Sequence, residues 1–228
     1  MRAKRDYTNI LSIEAAVGGG SLALMTEGRA TLVKQEGNLA SRAEKIILVI
    51  EAVLDEAGLS LADLDMIAVS TGPGSYSGIR IGMATALGLG NALKIPCVGV
   101  SVLAAMAHVA GSHEPLIAAI PVGKNDVAFQ PFESTRDGIQ KSSKNCQLVS
   151  VATFVENLKN FPGFTVFAQT DLLRSIVQPV PKTRPWIDAG TGLAEFVGSF
   201  ASLQQDLGSL ARPIYLRNGD LPVRPNSY

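Results

Sequence analysis

Cysteine, histidine and tryptophan are scarce in this chain, and neither sign of charge is in excess. Cys97 and Cys146 are the only cysteines in 228 residues. They lie far apart and form no CxxC pair, so a metal or redox site built on them is not expected. The only histidines, His108 and His113, stand five apart, whereas a helix that sets two metal-binding histidines on one face spaces them four apart. His108 therefore reads as a boundary residue of an apolar helix. Twenty basic residues balance twenty acidic ones, and no Lys/Arg cluster is interleaved with aromatics, which leaves nothing to attract nucleic acid directly. No apolar run approaches the roughly 20 residues that a membrane span needs. The basic opening Met1-Arg-Ala-Lys-Arg-Asp6 leads into a segment interrupted by Glu14 and glycines, without a signal peptide's apolar centre and cleavage site. A soluble, cytoplasmic protein is expected.

What is present is an ordinary globular balance, 46% hydrophobic and 18% charged, in a length suited to one large domain or two small lobes. Ile10 to Ile13, Ser21 to Met25 and Thr31 to Val33 read as an antiparallel meander, with turns at Gly18-Gly-Gly20 and Glu27-Gly-Arg29. From Leu39 to Ala57, apolar residues recur every three or four positions, the stripe of an amphipathic helix with Gly58 at its C-terminus. Ser60-Leu-Ala-Asp63 resembles a capping box, and Met66 to Ser70 is a buried strand. A helix to about Leu93, a strand Cys97 to Val100, a helix capped by Ser101 and running to Ala110, and a strand Leu116 to Ile120 follow. This alternation argues for a mixed sheet with helices packed on it. Beyond Pro121 the expected strands are Val127 to Phe132, Gln147 to Ser150 and Thr165 to Phe167, with helices near Thr153 to Asn160 and Leu193 to Leu203. Gln178 to Pro185 is proline-rich and reads as an extended surface connection.

One segment carries chemistry. Ser70-Thr-Gly-Pro-Gly-Ser-Tyr-Ser-Gly-Ile-Arg-Ile-Gly-Met-Ala-Thr-Ala-Leu-Gly-Leu-Gly90 follows a strand, turns sharply and enters a helix. Its loop glycines precede a helix N-terminus, a geometry suited to an anion, and make Gly72, Gly74, Ser75 and Gly78 candidate phosphate-binding residues. The loop is no Walker A motif, since no Lys-Ser/Thr pair follows Gly78; no dinucleotide fingerprint, since the glycine spacing is wrong; and no nucleophile elbow, since Tyr76 stands where serine is required. Within the helix, Gly78, Gly82, Ala86 and Gly90 recur four apart. Glycine inside a helix costs about 1 kcal/mol relative to alanine, so the stripe implies close approach, either of the chain's own sheet or of a helix from another chain.

The run from Ser70 to Gly90, continuing through Ile95-Pro-Cys-Val-Gly-Val-Ser101, resembles the signature region of the TsaB family. These are bacterial threonylcarbamoyladenosine biosynthesis proteins of the actin/sugar-kinase/Hsp70 fold. Ile10 to Leu24 resembles the family's opening hairpin and Pro213-Ile-Tyr-Leu-Arg217 its C-terminal motif. The resemblance implies a two-lobed α/β fold with a degenerate active site, an N-terminal lobe over residues 1–110 and a smaller lobe over 111–228. It implies a non-catalytic chain that forms a homodimer when alone and pairs with a catalytic TsaD-type subunit, aided by a TsaE-type ATPase, with tRNA reached only through the complex. The implied pairing surface is the two N-terminal-lobe helices, which assigns Ile46, Ile50, Val53, Gly78, Gly82, Ala86 and Gly90 to the partner or dimer contact. No cofactor is implied, unless a nucleotide lodges between subunits.

Two positions depart from the family pattern. Glu14-Ala15-Ala16 replaces the aspartate, threonine and serine or alanine that usually end the first strand, and Pro121 stands where the second lobe usually repeats an aspartate. Kinases of this fold use such carboxylates to hold magnesium or activate a hydroxyl, so both changes argue against ATP chemistry. The competing reading is a diverged ATP-binding phosphotransferase with the glycine loop on phosphate and Glu14 on metal. Asp63 and Asp65 lie in a turn, where acidic residues are common. A peptidase would need a positioned Ser-His or metal pair, and none is evident. No catalytic residue and no metal ligand is assigned.

Overall fold

The computed structural model describes residues 7–35, 43–111, 114–134, 140–142, 144–169, 171 and 185–203. Its first sheet grows from the opening meander. β1 (Asn9–Glu14) pairs antiparallel with β2 (Ser21–Thr26), and β2 with β3 (Arg29–Gln35). On its other side β1 runs parallel to β4 (Met66–Ser70), and β4 parallel to β5 (Cys97–Val100), giving the order β3-β2-β1-β4-β5. The antiparallel neighbours need only tight turns. The parallel ones need crossovers, supplied by α1 (Ala43–Ala57) and α2 (Tyr76–Leu93).

Successive strand residues point to opposite faces, and both faces here are apolar. Leu11, Ile13, Leu22, Leu24, Ile67 and Val69 share a core with Ile46, Ile50 and Val53 of α1 and with Ile79 and Met83 of α2. The alternate residues Ile10, Ala23, Met25, Met66, Ala68 and Val98 pack instead with Ala194, Val197 and Ala201 of α5 (Ala194–Leu203). Burial on both faces explains why β1, β2 and β4 read as continuous apolar runs rather than as alternating strands.

The second sheet follows the same plan. β6 (Leu116–Val122) is antiparallel to β7 (Asp126–Ser134), which pairs with β8 (Gln140–Ser142) and β9 (Gln147–Ser150). On the opposite side β6 is parallel to β10 (Thr165–Ala168), and β10 to β11 (Trp186–Asp188). In each sheet, then, the first strand in sequence is central, with antiparallel partners on one side and parallel ones on the other. One face carries Phe129, Ile117 and Val166 against Phe154 of α4 (Val151–Asn157) and Leu158 of the 3-10 turn after it. The other packs Leu116, Ala118 and Ile120 against Leu103, Met106 and Ala107 of α3 (Val102–Ala110). α3 also meets α5, where the His108 ring lies edge-on to Phe200 at 5.5 Å, and so ties the two sheets together. His108 is the boundary residue expected, and burial lowers its pKa.

The mixed α/β architecture with two helix-flanked sheets is the one expected. α2 starts at Tyr76 because Ser75 Oγ accepts a hydrogen bond from the Gly78 amide at 3.3 Å. β8 and β11 were not expected. The first sheet's strands end at Val100 and the second's begin at Leu116, yet α5, from the 111–228 segment, lies on the first sheet. The expected helix start at Leu39, His113, residues 178–184 of the proline-rich stretch and the Pro213–Arg217 motif fall outside the described residues.

Candidate functional site

β1 and β4 are parallel neighbours, so Glu14 and Ser70 arrive together at one end of the first sheet. Glu14 is fully buried, and its side chain folds back onto the turn that follows it. Oε1 accepts hydrogen bonds from the Ala16 amide at 2.6 Å, the Val17 amide at 3.1 Å and Ser70 Oγ at 3.2 Å. Oε2 is buried without a hydrogen-bond partner. Burial raises the carboxyl from its ordinary value to about 7, while the bonds from Ala16, Ser70 and Val17 act against that rise.

The candidate phosphate-binding residues gather around this turn, and what they contact is the chain itself. Gly72 and Gly74 adopt φ values of 96° and 150° that favour glycine. The Ser75 amide donates to the Ala16 carbonyl at 2.7 Å, and Ser75 Oγ caps α2 through the Gly78 amide. A Cβ on Gly74 would collide with the Ala16 carbonyl oxygen, and one on Gly78 with that of Ala15. The loop is anchored further by Thr71 N donating to Val100 O at 2.8 Å and Val102 N donating to Gly72 O at 3.0 Å. From the second sheet, Gln169 and Asp171 come up against Gly18, where a Cβ would meet Gln169 Nε2 at 3.0 Å and Asp171 Oδ2 at 3.2 Å.

The residues assigned to partner contact lie on the inner faces of their helices, which corrects that assignment. Ile46, Ile50 and Val53 of α1 are buried against the first sheet, and Gly78, Gly82, Ala86 and Gly90 of α2 are buried as well. A Cβ on Gly82 would stand 3.1 Å from the Ala15 Cβ, and one on Gly90 3.2 Å from the Cys97 Cβ. Of the two alternatives the stripe allowed, it serves the chain's own sheet. The physical reason is general: the most regular apolar or small-residue face of a helix is the one it buries at home. The outward faces are different. α1 exposes Leu48 (63%) and Ala52, and α2 exposes Tyr76 (58%), Ala84, Leu87 (43%) and Gly88. Among the described residues nothing lies within 4 Å of the place where a Cβ on Gly88 would stand, so no contact among them calls for a glycine there.

Other groups singled out in the sequence hold local structure. The Asp63 carboxylate accepts from the Ser60 amide at 2.8 Å, the capping arrangement expected, while that of Asp65 accepts from the Thr8 and Asn9 amides at 3.0 and 2.9 Å. Burial pushes the Cys97 and Cys146 thiols up to about 11 and about 12, leaving little thiolate at neutral pH. Pro121 sits within β6 opposite Val127. Among the described residues no group of three or more His, Cys, Asp and Glu side chains is arranged to hold a metal ion.

With this geometry in view, comparison with known proteins is specific. The family model described as "TsaD: tRNA N6-adenosine threonylcarbamoyltransferase" matches residues 36–197. The chain is 32% identical over 159 residues to the tRNA threonylcarbamoyladenosine biosynthesis protein TsaB of Escherichia coli K12, a match covering 68% of each protein. It is 37% identical over 105 residues to a tRNA N6-adenosine threonylcarbamoyltransferase of Cereibacter sphaeroides, covering 43% of this chain and 29% of that enzyme. A Pseudomonas aeruginosa crystal structure, described as a protein similar to peptidase YEAZ, superposes with a TM-score of 0.67 at 26% identity, covering 92% of this chain and all of the other.

Proposed function

The chain belongs to the TsaD family as a TsaB-like member, and from that membership we propose that it is a supporting, non-catalytic subunit in forming threonylcarbamoyladenosine in tRNA. It acts by pairing with a TsaD-type catalytic chain, and reaches tRNA only through that complex. The observation that carries this reading is the outward face of α1 and α2. Leu48 on α1 and Leu87 on α2 are large apolar side chains left in water, and next to Leu87 the exposed Ala84 and Gly88 keep α2 thin on its outer side. Small residues on an exposed helical face permit the 8 to 10 Å approach of another helix. On this reading the pairing surface comprises Leu48, Ala84, Leu87 and Gly88, within the lobe of residues 1–110, and the same face would join two copies when the partner is absent.

The test is co-purification with the TsaD-type subunit of the same organism, followed by size-exclusion chromatography with light scattering. A stable heterocomplex that carries out threonylcarbamoyl transfer, while neither chain does so alone, is the expected result. ATP hydrolysis by this chain alone, without complex formation, would replace this reading with the phosphotransferase one.

A further inference from the structure

The turn after β1 has the form of an anion cradle. Two successive amides, Ala16 N and Val17 N, converge with the Ser70 hydroxyl on a single oxygen atom. Convergent backbone amides of this kind are what proteins use to hold phosphate or carboxylate oxygens. The oxygen found there is the chain's own Glu14 Oε1. The turn sits beside the glycine loop of Gly72 to Gly78, and Gly18, next to the cradle, is exposed.

Local stability alone does not explain the choice of side chain. Burying a carboxyl is costly unless all its polar atoms are satisfied, and Oε2 is left without a partner. A serine or asparagine would close the turn with less burial of charge, as such residues commonly do. What the longer acid supplies is an oxygen placed at the focus of the two amides and Ser70, where an external oxyanion would otherwise lie. We propose that Glu14 is an internal occupant of an oxyanion cradle, and that by filling it the chain closes this end of the first sheet to phosphoryl ligands.

Among the described residues the groups around the cradle are few. β4 contributes Ser70, the turn contributes only Ala15, Ala16, Val17 and glycines, α2 contributes Ser75 at its start, and the end of the second sheet brings Gln169 and Asp171 against Gly18. Among the described residues no cationic side chain bonds to Glu14, so its removal leaves the amides and the hydroxyl as the donors for a replacement anion. Pairing with a catalytic subunit and closure of this cradle are separate properties, and each can fail without the other.

The experiment compares the wild-type chain with Glu14→Ala and Glu14→Gln, using inorganic phosphate as probe. Melting temperatures are measured in increasing phosphate against sodium chloride of matched ionic strength. Glu14→Ala empties the cradle and is expected to gain a saturable phosphate-dependent rise, while the wild type and Glu14→Gln, which keeps an oxygen at the same place, show none. A rise in Glu14→Gln equal to that in Glu14→Ala would mean that charge repulsion rather than occupancy keeps anions out, and would overturn the proposal. So would a folded Glu14→Ala that does not respond, or a wild type that does. Should Glu14→Ala fail to fold, amide NMR of the wild type decides. The Ala16 and Val17 N–H resonances are expected to titrate together between pH 5 and 9, and resonances that do not move overturn the assignment.

Discussion

A carboxyl group whose two oxygens are both out of water, one triply bonded and the other unbonded, titrates far from its ordinary range. Glu14 keeps its proton to about pH 7 in the folded chain, against an ordinary value of 4.5. Between those values the unfolded chain has released the proton and the folded chain still holds it. Raising the pH through this window therefore favours unfolding, by up to about 3 kcal/mol in total. Against Glu14→Gln as reference, the wild type is expected to lose stability in urea titrations as the pH rises from 4.5 to about 7, and to level off above that; a difference that stays constant would mean that the carboxyl is hydrated. Gly78 makes a second prediction at this scale. A Cβ there meets the Ala15 carbonyl oxygen, part of a backbone that Glu14 and Ser75 both hold. Gly78→Ala is expected to cost about 2 kcal/mol or more, read as a lower denaturant midpoint. The sequence marked Gly78 as special through its spacing. It could not show that a neighbouring carbonyl constrains it, because the Ala15–Gly78 contact spans sixty-three positions of chain.

At the scale of elements, α2 carries two series of small residues at the same spacing. Gly78, Gly82, Ala86 and Gly90 lie inward, and Ala84, Gly88 and Ala92 outward. Periodicity finds both but gives no sign of which one meets the sheet, and the glycine-richer series drew the assignment to the wrong face. The cap at Ser101 and the C-terminal ends of α2 and α3 were legible because they depend only on residues within one or two turns, whereas the Ser75 cap was not read. The two faces separate experimentally. Gly82→Leu is expected to destabilise the isolated chain by about 2 kcal/mol or more, since its side chain must displace Ala15, Ile13 or Val69. It is therefore a poor probe of pairing. Gly88→Leu should leave the melting temperature within a few degrees of wild type and weaken the TsaD-type complex at least tenfold in a binding titration. An unchanged affinity would move the partner off this face. Gly88→Ala, with open space for its Cβ, should raise the stability of the isolated chain by about 0.5 to 1 kcal/mol.

Taken whole, the molecule repeats one sheet plan twice, and that repeat is hidden in the sequence. β8 and β11 are three residues each, and Gln140-Lys-Ser142 and Trp186-Ile-Asp188 carry neither an apolar run nor a regular alternation. The return of α5 to the first sheet was hidden for another reason: amphipathicity says that a helix has a buried face without naming its cover. α5 sits tightly, since a Cβ on Gly198 would fall 2.6 Å from Met25 Cγ and 3.2 Å from the Ser12 Cβ, while Ser12 Oγ donates to Ala194 O at 2.6 Å. Gly198→Leu is expected to cost about 3 kcal/mol and lower the melting temperature by roughly 5 to 10 °C. Because α3 and α5 join the two sheets, calorimetry should still record one transition. Two separated transitions would mean that the sheets unfold independently.

The position of α5 also sets an order of events during synthesis. β1, β2 and β4 leave the ribosome long before residues 194–203 are made, so the row formed by Ile10, Met25 and Met66 has no helix to cover it until α5 has been made. At about 5 to 20 residues per second the delay is on the order of ten seconds. For that interval the nascent chain presents an apolar strand surface of the kind that chaperones hold, which makes its yield in the cell a matter of timing as much as of final stability.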